Sequence, residues 1–169
     1  FDYSENVNPL GPPTFVHEKW STYAKLITKY PDPLGEPFLS AAAKFHGVPV
    51  ENVIVGNGAA EIFASLAKRY ENKRVVLVHP TFSEYEATLT PYNVYIKEII
   101  AIGKLPLDEV LDEVEFAEAI YICRPNNPTG YLIPLEEIIQ IVNYAKTYKC
   151  EVILDEAFLD VIDEKESFI

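Results

Sequence analysis

Ala119-Ile120-Tyr121-Ile122-Cys123-Arg124-Pro125-Asn126-Asn127-Pro128-Thr129-Gly130 joins an apolar run to a loop dense in proline, amide and glycine. Five residues without a polar interruption, three of them β-branched or aromatic, read as a strand buried on both faces. The loop that follows sets two prolines and a glycine around Asn126 and Asn127. Such a loop is ordered, and it holds a side-chain amide at the end of the strand. An ornate strand-to-helix turn would use the same residues.

Working outward, Pro134 to Lys149 repeats Ile138, Ile141, Val142 and Ala145 at helical spacing, with Pro134 suited to a first turn. Glu151 to Leu154 is a further apolar strand. Upstream, helices are expected over Phe38 to His46, Ala60 to Tyr70, Phe82 to Leu89 and Leu107 to Val114. Gly47 stops the first of them. Strands are expected at Val53-Ile54-Val55, at Arg74 to Val78 and within Tyr92 to Ile102. Strands alternating with helices predict an α/β fold, a mostly parallel sheet with helices on both faces. Residues 1–37 read as an irregular N-terminal arm, with Pro9, Pro12, Pro13, Pro31, Pro33 and Pro37 around one helix, about Val16 to Ile27. Residues 38–169 carry the alternating pattern.

The chain has 169 residues, with Lys+Arg 14 against Asp+Glu 26 and a net charge of −12. Its acidity argues against a nucleic-acid or anionic-membrane partner over most of the surface. No apolar run of about 18 residues is present, and no basic start precedes an apolar run. Cys123 and Cys150 sit in or beside apolar runs, as buried thiols of a cytoplasmic protein do. Without a Met, and with Phe1 first, the sequence is expected to be a portion of a longer one. His17, His46 and His79 are scattered, so no metal site is expected.

In a parallel sheet, ligands bind beyond the carboxyl ends of the strands. Gly56-Asn57-Gly58-Ala59-Ala60-Glu61 joins an apolar run to a helix start, where backbone N–H groups and a partial positive charge suit an anion. It lacks the Gly-Lys-Ser/Thr of a Walker loop, and a plain tight turn would look alike. Asp155 ends the Val152-Ile153-Leu154 run, and a carboxylate there needs a partner. A protonated ring nitrogen on a cofactor, a neighbouring arginine or a helix N-terminus would each serve.

Taken in order, four motifs resemble the pyridoxal-phosphate enzymes of aminotransferase fold type I. They are Gly56-Asn57-Gly58-Ala59-Ala60-Glu61, Pro80-Thr81-Phe82-Ser83-Glu84-Tyr85, Pro125-Asn126-Asn127-Pro128-Thr129-Gly130 and Asp155-Glu156-Ala157-Phe158. Asn8-Pro9-Leu10-Gly11 and Tyr30-Pro31-Asp32-Pro33 are similar to the branch holding histidinol-phosphate aminotransferase and threonine-phosphate decarboxylase. The resemblance implies that residues 38–169 are part of the large cofactor-binding domain, with pyridoxal 5'-phosphate as cofactor. It implies that Gly58, Ala59 and Ala60 hold the phosphate and that Phe82 stacks on the ring. Asn127 donates to the ring oxygen, and Asp155 is the catalytic partner of the ring nitrogen. Tyr30 reaches the phosphate of the neighbouring subunit of a homodimer, and Asn8 and Gly11 lie near the substrate.

Phe158 stands where many aminotransferases carry a tyrosine, and has no hydroxyl to offer the ring oxygen. Phe158, Asp160 and the Asn8–Pro13 stretch point to the decarboxylase branch. The implied activity is decarboxylation of L-threonine O-3-phosphate to aminopropanol phosphate, in cobalamin biosynthesis. Histidinol-phosphate aminotransferase is the alternative, and a non-catalytic chain that binds phosphate ligands or a partner subunit is another. The family's Schiff-base lysine lies in a Ser/Thr-Lys motif beyond the Asp-Glu-Ala-Phe segment, which this chain does not reach.

Overall fold

Runs of β-branched residues supply the centre of the sheet. In the computed structural model, which describes residues 6–162 and 167–168, the strands are β1 (Arg74–His79), β2 (Tyr95–Ile100), β3 (Ala119–Cys123) and β4 (Glu151–Asp155). They form one sheet in the order β2-β1-β3-β4. Every pairing is parallel, as the alternation of helices and strands predicts.

The period-two geometry of the strands sorts their side chains into two cores. Val76, Val78, Ile120 and Ile122 face one layer, and Val75, Leu77, Ala119, Tyr121 and Cys123 face the other. The first layer is closed by α5 (Leu107–Val114) and α6 (Leu135–Tyr148), through Val110, Val114, Ile138, Ile141 and Ala145. The second is closed by α3 (Ala59–Ala67) and α4 (Glu84–Leu89), through Phe63, Ala67, Tyr85 and Leu89. Each fully buried aliphatic or aromatic side chain contributes about 1.5–3 kcal/mol relative to exposure.

The order of the strands explains why the helices divide. From β1 the chain moves outward to β2 over α4. It then returns across β1 to β3 over α5, and continues to β4 over α6. A crossover between parallel strands is right-handed, so reversing direction along the sheet changes the face that the helix covers. The reversal falls between β1 and β3, where a crevice opens at their carboxyl ends.

The chain folds as two units, Phe1–Val55 and Gly56–Ile169. The first holds α1 (Thr14–Tyr23), a 3₁₀ stretch (Ala24–Thr28) and α2 (Phe38–His46). Gly47 ends α2 in the left-handed conformation at φ 68°, as expected of a helix stop. The expected helix over Val16 to Ile27 is thus an α-helix that tightens into a 3₁₀ turn. The expected helix over Ala60 to Tyr70 ends likewise, with Lys68–Tyr70 in 3₁₀ form.

One expected strand is absent. Val53-Ile54-Val55 forms no strand among the described residues. Val53 has the extended backbone of a strand, at φ −118° and ψ 135°. An apolar, extended run becomes a strand only when a neighbour takes up its N–H and C=O groups. Ile54 is exposed here.

Candidate functional site

The site is built at the carboxyl ends of the strands in the Gly56–Ile169 unit. A cavity of about 270 Å³ is lined by Gly58, Ala59, Ala60, Phe82, Cys123, Asn127, Asp155, Ala157 and Phe158. Four separate stretches of sequence supply it. Among its lining side chains Asp155 alone is a carboxylate and Asn127 alone an amide.

The first wall is the start of α3. Gly58 caps this helix at φ 78° and ψ 170°, a conformation that only glycine adopts without strain. At Gly56 a Cβ would lie 3.1 Å from Ile62 Cγ1, so a larger residue would have to push that side chain aside. The N–H of Gly58 donates to Gly56 O at 2.9 Å. The N–H groups of the first helical turn have no partner inside a helix, so Ala59 and Ala60 bring such donors to the cavity. The Glu61 carboxylate turns back and accepts a hydrogen bond from the Asn57 N–H, which braces the loop.

The second wall comes from the loops after β1 and β3. Phe82 precedes α4 and packs edge-on against Tyr85, with ring centroids 5.7 Å apart. The loop after β3 is tied at several points. Asn126 Nδ2 donates to Pro80 O at 2.9 Å and to Thr129 Oγ1 at 2.8 Å. Gly130 N–H donates to Asn126 O at 2.7 Å. Asn126 thereby fixes the loop, and its neighbour Asn127 lines the cavity.

The floor is Asp155, the last residue of β4. The Tyr85 hydroxyl donates to Asp155 Oδ2 at 2.6 Å, and the Ala157 N–H donates to Oδ1 at 2.9 Å. Tyr85 is fully buried. Burial, and then the hydrogen bond to Asp155, push its phenol far above the usual tyrosine range. The hydroxyl therefore keeps its proton and acts as a donor. Cys123 lies beside Asp155 in register on β3. Its thiol is pushed up chiefly by burial, and it accepts a hydrogen bond from the Asn127 N–H at 3.4 Å.

With this geometry in hand, comparison with known proteins is direct. Residues 2–169 match the family described as aminotransferase class I and II. The chain belongs to that family. It is 33% identical over 173 aligned positions to a threonine-phosphate decarboxylase from Salmonella typhimurium, a match that covers 99% of this chain and 47% of the relative. It is 32% identical over 158 residues to a histidinol-phosphate aminotransferase from Pyrococcus furiosus, covering 91% of this chain and 46% of the relative. The crystal structure of the histidinol-phosphate aminotransferase from Clostridium acetobutylicum superposes with a TM-score of 0.84 at 25% identity, over 99% of this chain and 51% of that one. The chain spans about half the length of the relatives it matches.

Within this aminotransferase-family chain, seven of the residues singled out from sequence line one cavity: Gly58, Ala59, Ala60, Phe82, Asn127, Asp155 and Phe158. Asn8, Gly11 and Tyr30 belong to the Phe1–Val55 unit. There Gly11 closes a turn at φ 74°, its N–H donating to Asn8 O at 3.0 Å. The Tyr30 side chain is wholly exposed within the chain.

Sequence reasoning missed three contributors. Tyr85 was part of a quoted motif but had no role, although its place three residues after Phe82 sets both on one side of a helix start. Cys123 was read only as a buried thiol, and it also lines the cavity. Arg124 is 1% exposed; its Nε donates to Ile133 O at 2.8 Å, and its Nη1 lies 3.4 Å from Glu156 Oε1. An arginine is one of the three partners weighed for Asp155, and Arg124 pairs with Glu156, the residue after it. Among the described residues no group of His, Cys, Asp and Glu is arranged to hold a metal ion, and no helix is long and apolar enough to cross a membrane.

Proposed function

We propose that the cavity at the ends of β1, β3 and β4 is the cofactor cradle of a pyridoxal-phosphate enzyme, and that the complete protein decarboxylates L-threonine O-3-phosphate to aminopropanol phosphate. The observation that carries the reading is the convergence of an α3 N-terminus, one aromatic ring, one amide and one carboxylate on a single cavity. This donor set fits the cofactor group by group. Ala59 and Ala60 present backbone N–H groups to a phosphate, with Gly58 keeping the turn open. Phe82 offers a ring face, Asn127 an amide donor for a ring oxygen, and Asp155 an acceptor for a protonated ring nitrogen.

When bound, the cofactor supplies a protonated ring that withdraws electrons from the substrate's α-carbon. The chain's own residues bind, orient and exclude water. Asp155 supports a positive charge at the ring nitrogen, and the apolar lining strengthens that interaction. Phe158 covers the cavity without adding a second donor beside Asn127, so the ring oxygen rests on Asn127 within this chain.

The cytoplasmic homodimer implied by the resemblance is part of the same proposal, with Tyr30 serving the neighbouring subunit's phosphate. Support for the decarboxylase comes from Phe158 and from the Salmonella relative. Support for the alternative, histidinol-phosphate:2-oxoglutarate aminotransferase, comes from the Pyrococcus relative at nearly the same identity. The complete protein, assayed with each substrate, separates them. Carbon dioxide and an amine phosphate from threonine phosphate identify the decarboxylase. Glutamate formed from histidinol phosphate and 2-oxoglutarate identifies the aminotransferase. A protein that binds the cofactor and forms neither product overturns both.

A further inference from the structure

Asp155 receives one protein donor on each oxygen, Tyr85 on Oδ2 and the Ala157 N–H on Oδ1. A carboxylate has room for about four hydrogen bonds, so acceptor capacity remains for a ligand after both are made. Two donors on different oxygens also fix the carboxylate plane, which one donor would leave free to turn about the Cβ–Cγ bond.

Tyr85 itself has little freedom. Its ring packs edge-on against Phe63 at 4.8 Å and Phe82 at 5.7 Å, and lies tilted against Tyr121 at 5.4 Å. The Ala157 N–H comes from an exposed residue two positions after β4, whereas the Tyr85 donor comes from a core packed on several sides. One residue therefore touches both the ring platform, Phe82, and the carboxylate, Asp155.

On the cofactor reading above, we propose that Tyr85 is a positioning residue: its buried hydroxyl holds the Asp155 carboxylate in the orientation that accepts a protonated ring nitrogen. The consequence is selective. Loss of the hydroxyl weakens the part of ligand binding that passes through the ring nitrogen. It leaves the parts that pass through the phosphate, the ring face and the ring oxygen.

The test uses the complete protein in cofactor-free form and two probes: pyridoxal phosphate, and its carbon analogue in which the ring nitrogen is a C–H. Both keep the aldehyde, hydroxyl and phosphate. The wild-type protein is expected to prefer pyridoxal phosphate, and Tyr85→Phe to lose about tenfold of that preference while its affinity for the carbon analogue stays within about twofold. An equal loss for both probes, or no loss for either, would show that Tyr85 only supports the fold and would overturn the proposal. Tyr85→His at pH 8 keeps a ring and an N–H donor and serves also if Tyr85→Phe does not fold. A preference near wild type in the folded His variant supports the proposal, and a lost preference overturns it. Wild-type protein that binds neither probe overturns the cofactor reading itself. Wild-type binding with an unchanged preference in Tyr85→Phe overturns the positioning role alone.

Discussion

Arg124 and Glu156, each one residue past the end of its strand, form an ion pair at 3.4 Å with side chains 1% and 14% exposed. Arg124 follows β3 and Glu156 follows β4, so the pair ties together the two loops that carry Asn127 and Ala157. Arg124 Nε also donates to Ile133 O, which anchors the far end of the β3 loop. Removing one partner of a buried pair leaves the other charge uncompensated, at a cost of about 3–5 kcal/mol. Arg124→Ala in the complete protein is expected to lose that much in chemical denaturation, or to yield no soluble protein. A change under 1 kcal/mol would show that the pair is well solvated.

Asp155→Asn is expected to affect catalysis more than folding. On the proposed reading, the amide keeps the volume and removes the charge that would support a protonated ring nitrogen. One charged hydrogen bond amounts to about 1.5–3 kcal/mol, or roughly ten- to a hundredfold in rate, with more lost where charge develops in the transition state. Turnover by the purified complete variant, compared with its thermal stability, checks this. Near wild-type turnover would remove Asp155 from the mechanism.

Asn127→Ala is expected to shift the absorption band of the bound cofactor and the pH at which that band changes. On the proposed reading, the amide donor would stabilise an anionic ring oxygen, and Phe158 has no donor to replace it. A spectral titration of the variant that superposes on wild type would refute the assignment.

Alkaline pH is expected to destabilise the fold. Burial, then the Glu118 and Glu151 carboxylates, push the Cys150 thiol up to about 12 from an ordinary 9.0. Burial, then Glu151, push the Tyr121 phenol up to about 12 from 10.0. Between about 9 and 12 the unfolded chain ionises at these groups while the folded chain does not. The stabilisation present below pH 9 is therefore lost as pH rises. Thermal melts from pH 7 to 11 measure the decline, and Cys150→Ala is expected to make it shallower. A melting temperature flat to pH 11 would contradict the burial of both groups.

Much of this was legible in the sequence because the parallel sheet imposes a simple rule. Residues directly after β1, β3 and β4 converge, so Phe82, Asn127 and Asp155 could be placed together before any coordinate was known. Tyr85 was harder to read. Its contact with Asp155 spans 70 residues, and it depends on β3 lying between β1 and β4, which local pattern does not encode. Val53-Ile54-Val55 misled for the opposite reason: its pattern is that of a strand, but pattern does not supply a neighbour. The first and third helices tighten into 3₁₀ form at their last residues, as the last turn of a helix often does, and apolar periodicity does not resolve that change.

The pairing of Cys123 with Asp155 fixes a parity along β4. Asp155 lies on the side of Tyr85, and Glu156, the next residue, lies on the side of Arg124. Two adjacent carboxylates thus face opposite sides, one lining the cavity and one paired with an internal cation. Both are carboxylates, and odd or even position assigns each its side. Deleting one residue from the Lys149-Cys150 turn before β4 would exchange the two sides, setting the longer acid Glu156 where Asp155 stands. The turn lies at the other end of β4 from the cavity, yet its length decides which acid the cavity carries.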